Sequence, residues 1–367
     1  MSFLFVFFFL IIPLLVQSGF IYEDFIQTTG LVINGDARIW ACDSTKDSIE
    51  KDEDSIDAPS SISVEKEGNM LIQKVLSISR NDTIDSYTNA LGASFGHRET
   101  HIAVETNCFR RLRLTPALQS QVGSAFYERM VPVFQGFDTV FEFLISGQSR
   151  LCKTYFEQVH SKMHHRSCSV HGGDGFAFVI HGNENGSRSL GSDGKEIGYG
   201  GIENSLAIEF DMWPNVGSEG SDDMFYDHIS IHSASLNANS ANSTTKLGTS
   251  KFVEMGDGKI HRVKIQYIPF VEKKYLESMT ANENLIPYIK DNGEGRRLGT
   301  LAVFVDDLHT PVVSIPLNLS VLLDLPHTMA YIGFTASTGY RFQNHDILKW
   351  EWCDSFNCSE DTENTSV

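Results

Sequence analysis

The chain has 367 residues, 41% of them hydrophobic and 21% charged, which excludes wholesale disorder and leaves material for one large domain or two small ones. Twenty-nine Gly against 10 Pro, with 25 Phe and 11 Tyr, favour a turn-rich, aromatic-rich β architecture over a helical bundle. Forty-seven acids against 29 bases give a formal charge of -18, which repels phosphate backbones, argues against nucleic acid as a partner and fits cation binding.

Residues 1–18, MSFLFVFFFLIIPLLVQS, carry no charge, and Ser2 and Pro13 alone break the apolar run before Val16-Gln17-Ser18. This composition predicts a secretory signal removed before Gly19, although the usual basic start is missing; an uncleaved anchor is the alternative. No later segment reaches the roughly 18 apolar residues of a bilayer helix. The expectation is a secreted, soluble mature chain with no membrane span.

Gly30 to Asp36 then reads as a short strand running into a turn. Residues 43–57, with seven acids and two lysines, read as a solvated loop. They fall in a polar insertion at about 38–110, where Met70 to Ile78 is apolar enough for a strand or a short helix. The β pattern returns at Leu112 to Thr115 and Val131 to Ile145, expected to share one sheet; Phe137 to Phe143 alternates as a half-buried strand does. A second polar insertion at about 147–171 holds His164-His165 between Cys152 and Cys168, and reads as a loop with ordinary surface histidines. Strands follow at Gly175 to His181, Ser205 to Asp211, His228 to His232, Lys259 to Tyr267, Leu301 to Asp306, Tyr331 to Thr335 and Leu348 to Trp352. Short strands at regular intervals predict an all-β fold of two packed antiparallel sheets, a jelly-roll β-sandwich filling residues 19–353, with a polar tail at 354–367.

Six cysteines, Cys42, Cys108, Cys152, Cys168, Cys353 and Cys358, match no zinc spacing and point to disulfides in a secreted chain. Sequence leaves the connectivity open; the most economical pairing joins Cys42 with Cys108, Cys152 with Cys168 and Cys353 with Cys358. Sequons at Asn81, Asn185, Asn242, Asn318, Asn357 and Asn364 agree with a secretory glycoprotein, Asn318 being the one most exposed to blockage by folding.

The densest polar cluster starts inside a strand, Leu206-Ala207-Ile208-Glu209-Phe210-Asp211, and continues through Met212-Trp213-Pro214-Asn215. In an extended strand Glu209 and Asp211 share a face. Two such carboxylates need a shared proton, a cation or acid/base work to compensate them. Oxygen donors at Asn215, Asp222, Asp223 and Asp227, followed by His228, suit a hard ion beside a transition ion bridged by shared carboxylates.

This series resembles the legume-type (L-type) lectins. Gly172-Gly-Asp-Gly-Phe-Ala-Phe-Val-Ile180 resembles that family's first sugar-binding loop, and Gly198-Tyr-Gly-Gly-Ile202 its second. Gly333 to Gly339 and Asn344 to Trp350 resemble its closing loop and final strand, and Leu112 to Pro116 and Phe137 to Phe141 match in the first half. The resemblance covers residues 25–36 and most of 112–353, in order. It implies a concanavalin-like fold, and a lectin that binds glycans or glycoproteins without catalysis, using Ca2+ and Mn2+. The transition ion would take Glu209, Asp211, Asp223 and His228; calcium would take Asp211, the Trp213 carbonyl, Asn215 and Asp223, with Asp222 as the substitute for Asp223. The sugar would meet Asp174, Gly198 or Gly200, Trp213, Asn215 and the stretch Ser337, Thr338, Gly339 and Tyr340. Such residues suit a pyranose, since carboxylates accept from sugar hydroxyls, amides donate, and aromatic faces stack on the ring's C–H groups. The resemblance also implies a cis peptide at Gly173-Asp174 and a back sheet that often pairs as a homodimer.

Three rivals remain. A jelly-roll glycoside hydrolase would extend the acidic series, but Met212 to Asn215 follow Asp211 without a further acid. A soluble lumenal glycoprotein cargo receptor shares the fold. An adhesive or structural protein without sugar specificity is the third.

Overall fold

The computed structural model describes residues 19–41, 61–67, 70–76, 102–104, 110–156, 164–215, 227–279, 282–289 and 298–355. Two eight-stranded antiparallel sheets carry the fold. The back sheet runs in the order Val313–Leu317, Gly299–Val305, Ile260–Ile268, Phe137–Ser146, Asn344–Cys353, Arg111–Thr115 and Arg38–Trp40, with Gly19–Tyr22 also paired to Asn344–Cys353. The front sheet runs Lys246–Thr249, His228–His232, Ser205–Asp211, Gly175–His181, Met329–Ser337, Val122–Tyr127 and Leu31–Gly35, with Val131–Pro132 added beside Met329–Ser337. This is the predicted β-sandwich.

Alternation on the two central front strands explains the layering. Phe176, Phe178 and Ile180, with Leu206, Ile208 and Phe210, face the back sheet and meet Phe137, Phe141, Phe143 and Trp350 in one core. Phe176 and Phe210 stack with ring centroids 4.6 Å apart, and Phe141 stands edge-on to Phe334 at 5.0 Å. The intervening residues Ala177, Val179 and Ala207 are buried as well, because the segment carrying Ile197, Tyr199 and Ile202 covers the outer face. Sheets buried on both faces read as continuous apolar runs, as Gly175–His181 does.

Several strands escaped sequence reading. Val122–Tyr127 was missed because Gly123, Ser124 and Ala125 give no apolar alternation, yet it lies inside the front sheet. The expected loop at 147–171 contains a hairpin of Arg150–Phe156 and His164–Val170, which sets His164 and His165 on a strand and Cys152 directly opposite Cys168. No free cysteine occurs among the described residues.

Residues 41–110 form a unit of their own. Its described strands, Ser61–Glu67, Met70–Leu76 and Ile102–Val104, make an antiparallel three-stranded sheet, so the apolar stretch at Met70 is a strand and not a helix. Arg38–Trp40 pairs with Arg111–Thr115 in the back sheet, which moves the start of the insertion from about 38 to 41.

In the back sheet Asp346 stands opposite Arg113 and accepts from its Nε at 2.7 Å and its Nη2 at 2.8 Å, while both Arg111 and Arg113 lie over the Trp40 ring. A bidentate guanidinium pair of this kind fixes two planar groups against one another. Beside it, burial holds the His345 imidazole down at about 3, with Nδ1 2.6 Å from Thr115 Oγ1; burial likewise holds His181 at about 3. An unfolded histidine titrates near 6.5, so the unfolded chain binds more protons between pH 3 and 6.5. The stability these two neutral rings contribute is complete above pH 6.5 and falls as pH is lowered, on the order of 1 kcal/mol per pH unit for each. Histidine proton resonances recorded from pH 8 to 4.5 are expected to show both rings silent; a midpoint near 6.5 for either would overturn this assignment.

Candidate carbohydrate and metal site

The site sits on the outer face of the front sheet at the end where Gly175–His181 begins and Ser205–Asp211 finishes. Strand register places Asp211 between Gly175 and His228, and Glu209 opposite Ser230. Alternation turns Ala207, Glu209 and Asp211 outward while their neighbours enter the core. Glu209, Asp211 and His228, each 2% exposed, offer ligand atoms that all lie within 4.8 Å of one another. Two carboxylates and an imidazole at this spacing fit a divalent transition ion.

Supporting bonds surround the cluster. Oε2 of Glu209 accepts from the Tyr199 hydroxyl, and Oε1 accepts from Ser230 Oγ at 3.2 Å. Ser230 Oγ also lies 2.9 Å from His232 Nε2, whose Nδ1 is 3.0 Å from Thr245 Oγ1. Burial, and then the Glu209 charge, push the Tyr199 phenol well above its ordinary range, so it remains a donor.

Beyond the strand the chain turns so that the Trp213 amide donates to Asp211 Oδ1 at 2.7 Å, and Asn215 Nδ2 lies 3.3 Å from the Trp213 carbonyl. Asp211, the Trp213 carbonyl and Asn215 thus come together as an oxygen-bearing loop that fits a hard ion. Asp222 and Asp223 lie outside the described residues.

The first loop holds a cis peptide at Gly173-Asp174, as the resemblance implies. Asp174 donates its amide to the Ser337 carbonyl at 3.0 Å, and its carbonyl accepts from the Met212 amide at 2.9 Å, which ties this loop to the turn after Asp211. Its carboxylate is buried, and Oδ2 has no hydrogen-bond partner. Burial, then the Asp193 charge, raise the carboxyl to about 7. A Cβ added at Gly339 would sit 2.8 Å from Oδ2, so glycine leaves room for that oxygen.

The second loop carries Gly198 at φ +72, a left-handed conformation that favours glycine. Thr335 Oγ1 donates to the Ile197 carbonyl at 2.8 Å and Ser337 Oγ to the Gly194 carbonyl at 2.6 Å, while the Gly200 amide donates to the Glu196 carbonyl at 3.0 Å. In the closing loop Ser337 and Thr338 are fully buried, and Thr338 Oγ1 donates to the Leu118 carbonyl at 2.6 Å; Gly339 N donates to the Arg341 carbonyl at 3.1 Å. Tyr340 projects from this loop with 70% of its surface exposed.

The family model for the legume lectin domain matches residues 93–367. The chain belongs to the legume lectin family. A probable L-type lectin-domain containing receptor kinase VII.2 of Arabidopsis thaliana is 29% identical over 191 residues, covering 50% of this chain and 24% of that protein. The chain therefore spans about a quarter of the length of that curated relative. Among solved structures, a Lotus tetragonolobus seed lectin is 17% identical and covers 91% of this chain and 97% of its own, with a TM-score of 0.47. A Bauhinia forficata lectin in complex with GalNAc is 16% identical, covers 92% of this chain and 97% of its own, and has a TM-score of 0.46.

Within this legume lectin chain, four loops and two strand ends gather Asp174, Gly198, Gly200, Trp213, Asn215, Glu209, Asp211, His228 and Ser337 to Tyr340 at one end of the front sheet. Sequence reasoning assigned no role to Tyr199, Ser230 or His232. Ser230 and His232 were findable, because they follow His228 at alternate positions of one strand. Tyr199 carried no such signal, since its contact with Glu209 crosses from a loop to a sheet.

Proposed function

We propose that this chain is a secreted, metal-dependent lectin that binds glycans or glycoproteins and performs no catalysis. The observation that carries the reading is the buried Asp174 carboxylate, whose Oδ2 has no partner beside Gly339. Its natural complement is a neutral group rich in donors, and a pyranose presents adjacent hydroxyls. Asn215 supplies an amide to an acceptor oxygen, and Trp213, half-buried next to Gly173, offers an aromatic face to sugar C–H groups.

Glu209, Asp211 and His228, completed by Asp223, would hold Mn2+; Asp211, the Trp213 carbonyl, Asn215 and Asp223 would hold Ca2+. Bound there, the ions supply fixed positive charge that compensates the carboxylates and locks the Trp213 to Asn215 turn. The chain's own bonds then carry that order to Asp174 through the Met212 amide.

Other features support a secretory route. Cys152 opposite Cys168 supports a disulfide between them, with Cys42–Cys108 and Cys353–Cys358 completing the set. Asn185 is exposed and suits glycosylation, whereas Asn318, 1% exposed, does not. Among the described residues no helix is long and apolar enough to cross a membrane.

A glycan array probed with the secreted protein in Ca2+ and Mn2+, and again after chelation, tests the reading. Binding to a defined glycan that disappears on chelation and returns with metal is the expected result. Metal uptake by calorimetry without binding to any glycan would overturn it and favour adhesion or cargo capture.

A further inference from the structure

Tyr199 belongs to the second loop, between Gly198 and Gly200, yet its hydroxyl reaches the metal-binding cluster and donates to Oε2 of Glu209. Tyr199 is fully buried and Glu209 is 2% exposed, so water does not compete for either group. The ring is clamped among Phe126, Ala177, Val179, Ile202 and Ala207, and the hydroxyl therefore cannot move without the loop's main chain. The loop is held by bonds to neighbouring segments, among them Thr335 Oγ1 to the Ile197 carbonyl, Ser337 Oγ to the Gly194 carbonyl and the Gly201 amide to the Asn239 carbonyl, and by main-chain bonds of its own. The Gly191 amide donates to the Gly198 carbonyl, the Gly198 amide to the Ser192 carbonyl and the Ser192 amide to the Gly200 carbonyl, all between 2.8 and 2.9 Å.

A phenylalanine would fill the same apolar volume with no polar atom to satisfy. The hydroxyl is buried at a cost that only its bond to Glu209 offsets. Ser230 donates to Oε1 and Tyr199 to Oε2, so removing either hydroxyl takes a bond from a different oxygen of Glu209.

We propose that Tyr199 is a positioning residue that couples the metal cluster to the second sugar loop: the orientation an ion imposes on Glu209 is transmitted through the Tyr199 hydroxyl to the Gly198 to Gly200 main chain. The inference rests on the metal-dependent lectin reading above. Linkage makes it reciprocal, so a sugar held by that loop tightens ion binding by the same factor.

The test uses the full chain, as wild type, Tyr199→Phe and Ser230→Ala, at constant Ca2+ with and without Mn2+. Calorimetry measures Mn2+ affinity, and amide hydrogen exchange measures residues 191–202. Mn2+ is expected to slow exchange at Gly198 to Gly201 in the wild type by about tenfold, the scale of a coupling near 1 kcal/mol or slightly more. Tyr199→Phe is expected to bind Mn2+ about tenfold more weakly and to lose the slowing even at saturation. Ser230→Ala, which removes a Glu209 bond outside the loop, is expected to weaken Mn2+ similarly while keeping the slowing. Slowing retained in Tyr199→Phe would overturn the coupling. Mn2+ uptake by the wild type without slowing would overturn the coupling and leave the lectin reading standing. Absence of Mn2+ uptake by the wild type would overturn both.

Discussion

Asp174→Asn lowers glycan affinity by at least about a hundredfold and leaves metal uptake in place. Above the value of about 7 to which burial raises Asp174, its carboxylate is ionised, and hydrogen bonds from sugar hydroxyls to such a group contribute roughly 1.5–3 kcal/mol each, so the comparison is made at pH 8. Replacing one carboxylate oxygen by an amide NH2 removes an acceptor and sets a donor against a hydroxyl already oriented to donate. The substitution preserves size and keeps both main-chain bonds of residue 174, to Ser337 and Met212, so the loop retains its anchors. Glycan titration calorimetry of the metal-saturated variant checks the loss, and a metal titration checks the retention. Affinity within tenfold of the wild type would remove Asp174 from the sugar site.

Asp211→Asn acts more broadly, removing ion binding and glycan binding together, because this one carboxylate is proposed to belong to both ions. Its effect on stability has opposite signs in the two states. Without metal, Glu209 and Asp211 are two buried acids on one face of one strand, and neutralising one relieves their repulsion. The metal-free variant is therefore expected to be at least as stable as the wild type. With metal present at a hundred times its dissociation constant, the wild type gains about 2.7 kcal/mol, and the variant forgoes that gain. Thermal unfolding of both proteins with chelator and with Ca2+ plus Mn2+ measures the crossover. Equal metal-induced stabilisation in the two would exclude Asp211 as a ligand.

The parts of this site legible in the sequence were those written at short range. Glu209 and Asp211 two apart on Ser205–Asp211, and His228 opening His228–His232, follow from strand periodicity, and both strands were placed at their observed bounds. The gathering of Asp174, Asn215 and Gly339 is long-range, and only the family resemblance placed them together. Arg113 and Asp346 make the same point in the back sheet: each stood in a recognised segment, but their pairing spans 233 residues and depends on register. The hairpin at 150–170 was hidden because its polar strands lack the apolar alternation that marks a buried face. Tyr199 was hidden because a buried tyrosine in a glycine-rich loop has the same local pattern whether or not its hydroxyl finds an acid.

Asn344–Cys353 lies near the middle of the back sheet, bonded on one side to Phe137–Ser146 and on the other to Arg111–Thr115. During synthesis these two segments emerge roughly two hundred residues ahead of the strand that separates them, a delay on the order of ten seconds or more at ribosomal rates. Throughout that interval both present open hydrogen-bonding edges, the sort of surface that pairs with the wrong chain. Those edges stay open to mispairing until the C-terminal strand arrives. A premature stop anywhere before residue 344 removes the sheet's keystone and yields an aggregation-prone fragment in place of a weakened lectin.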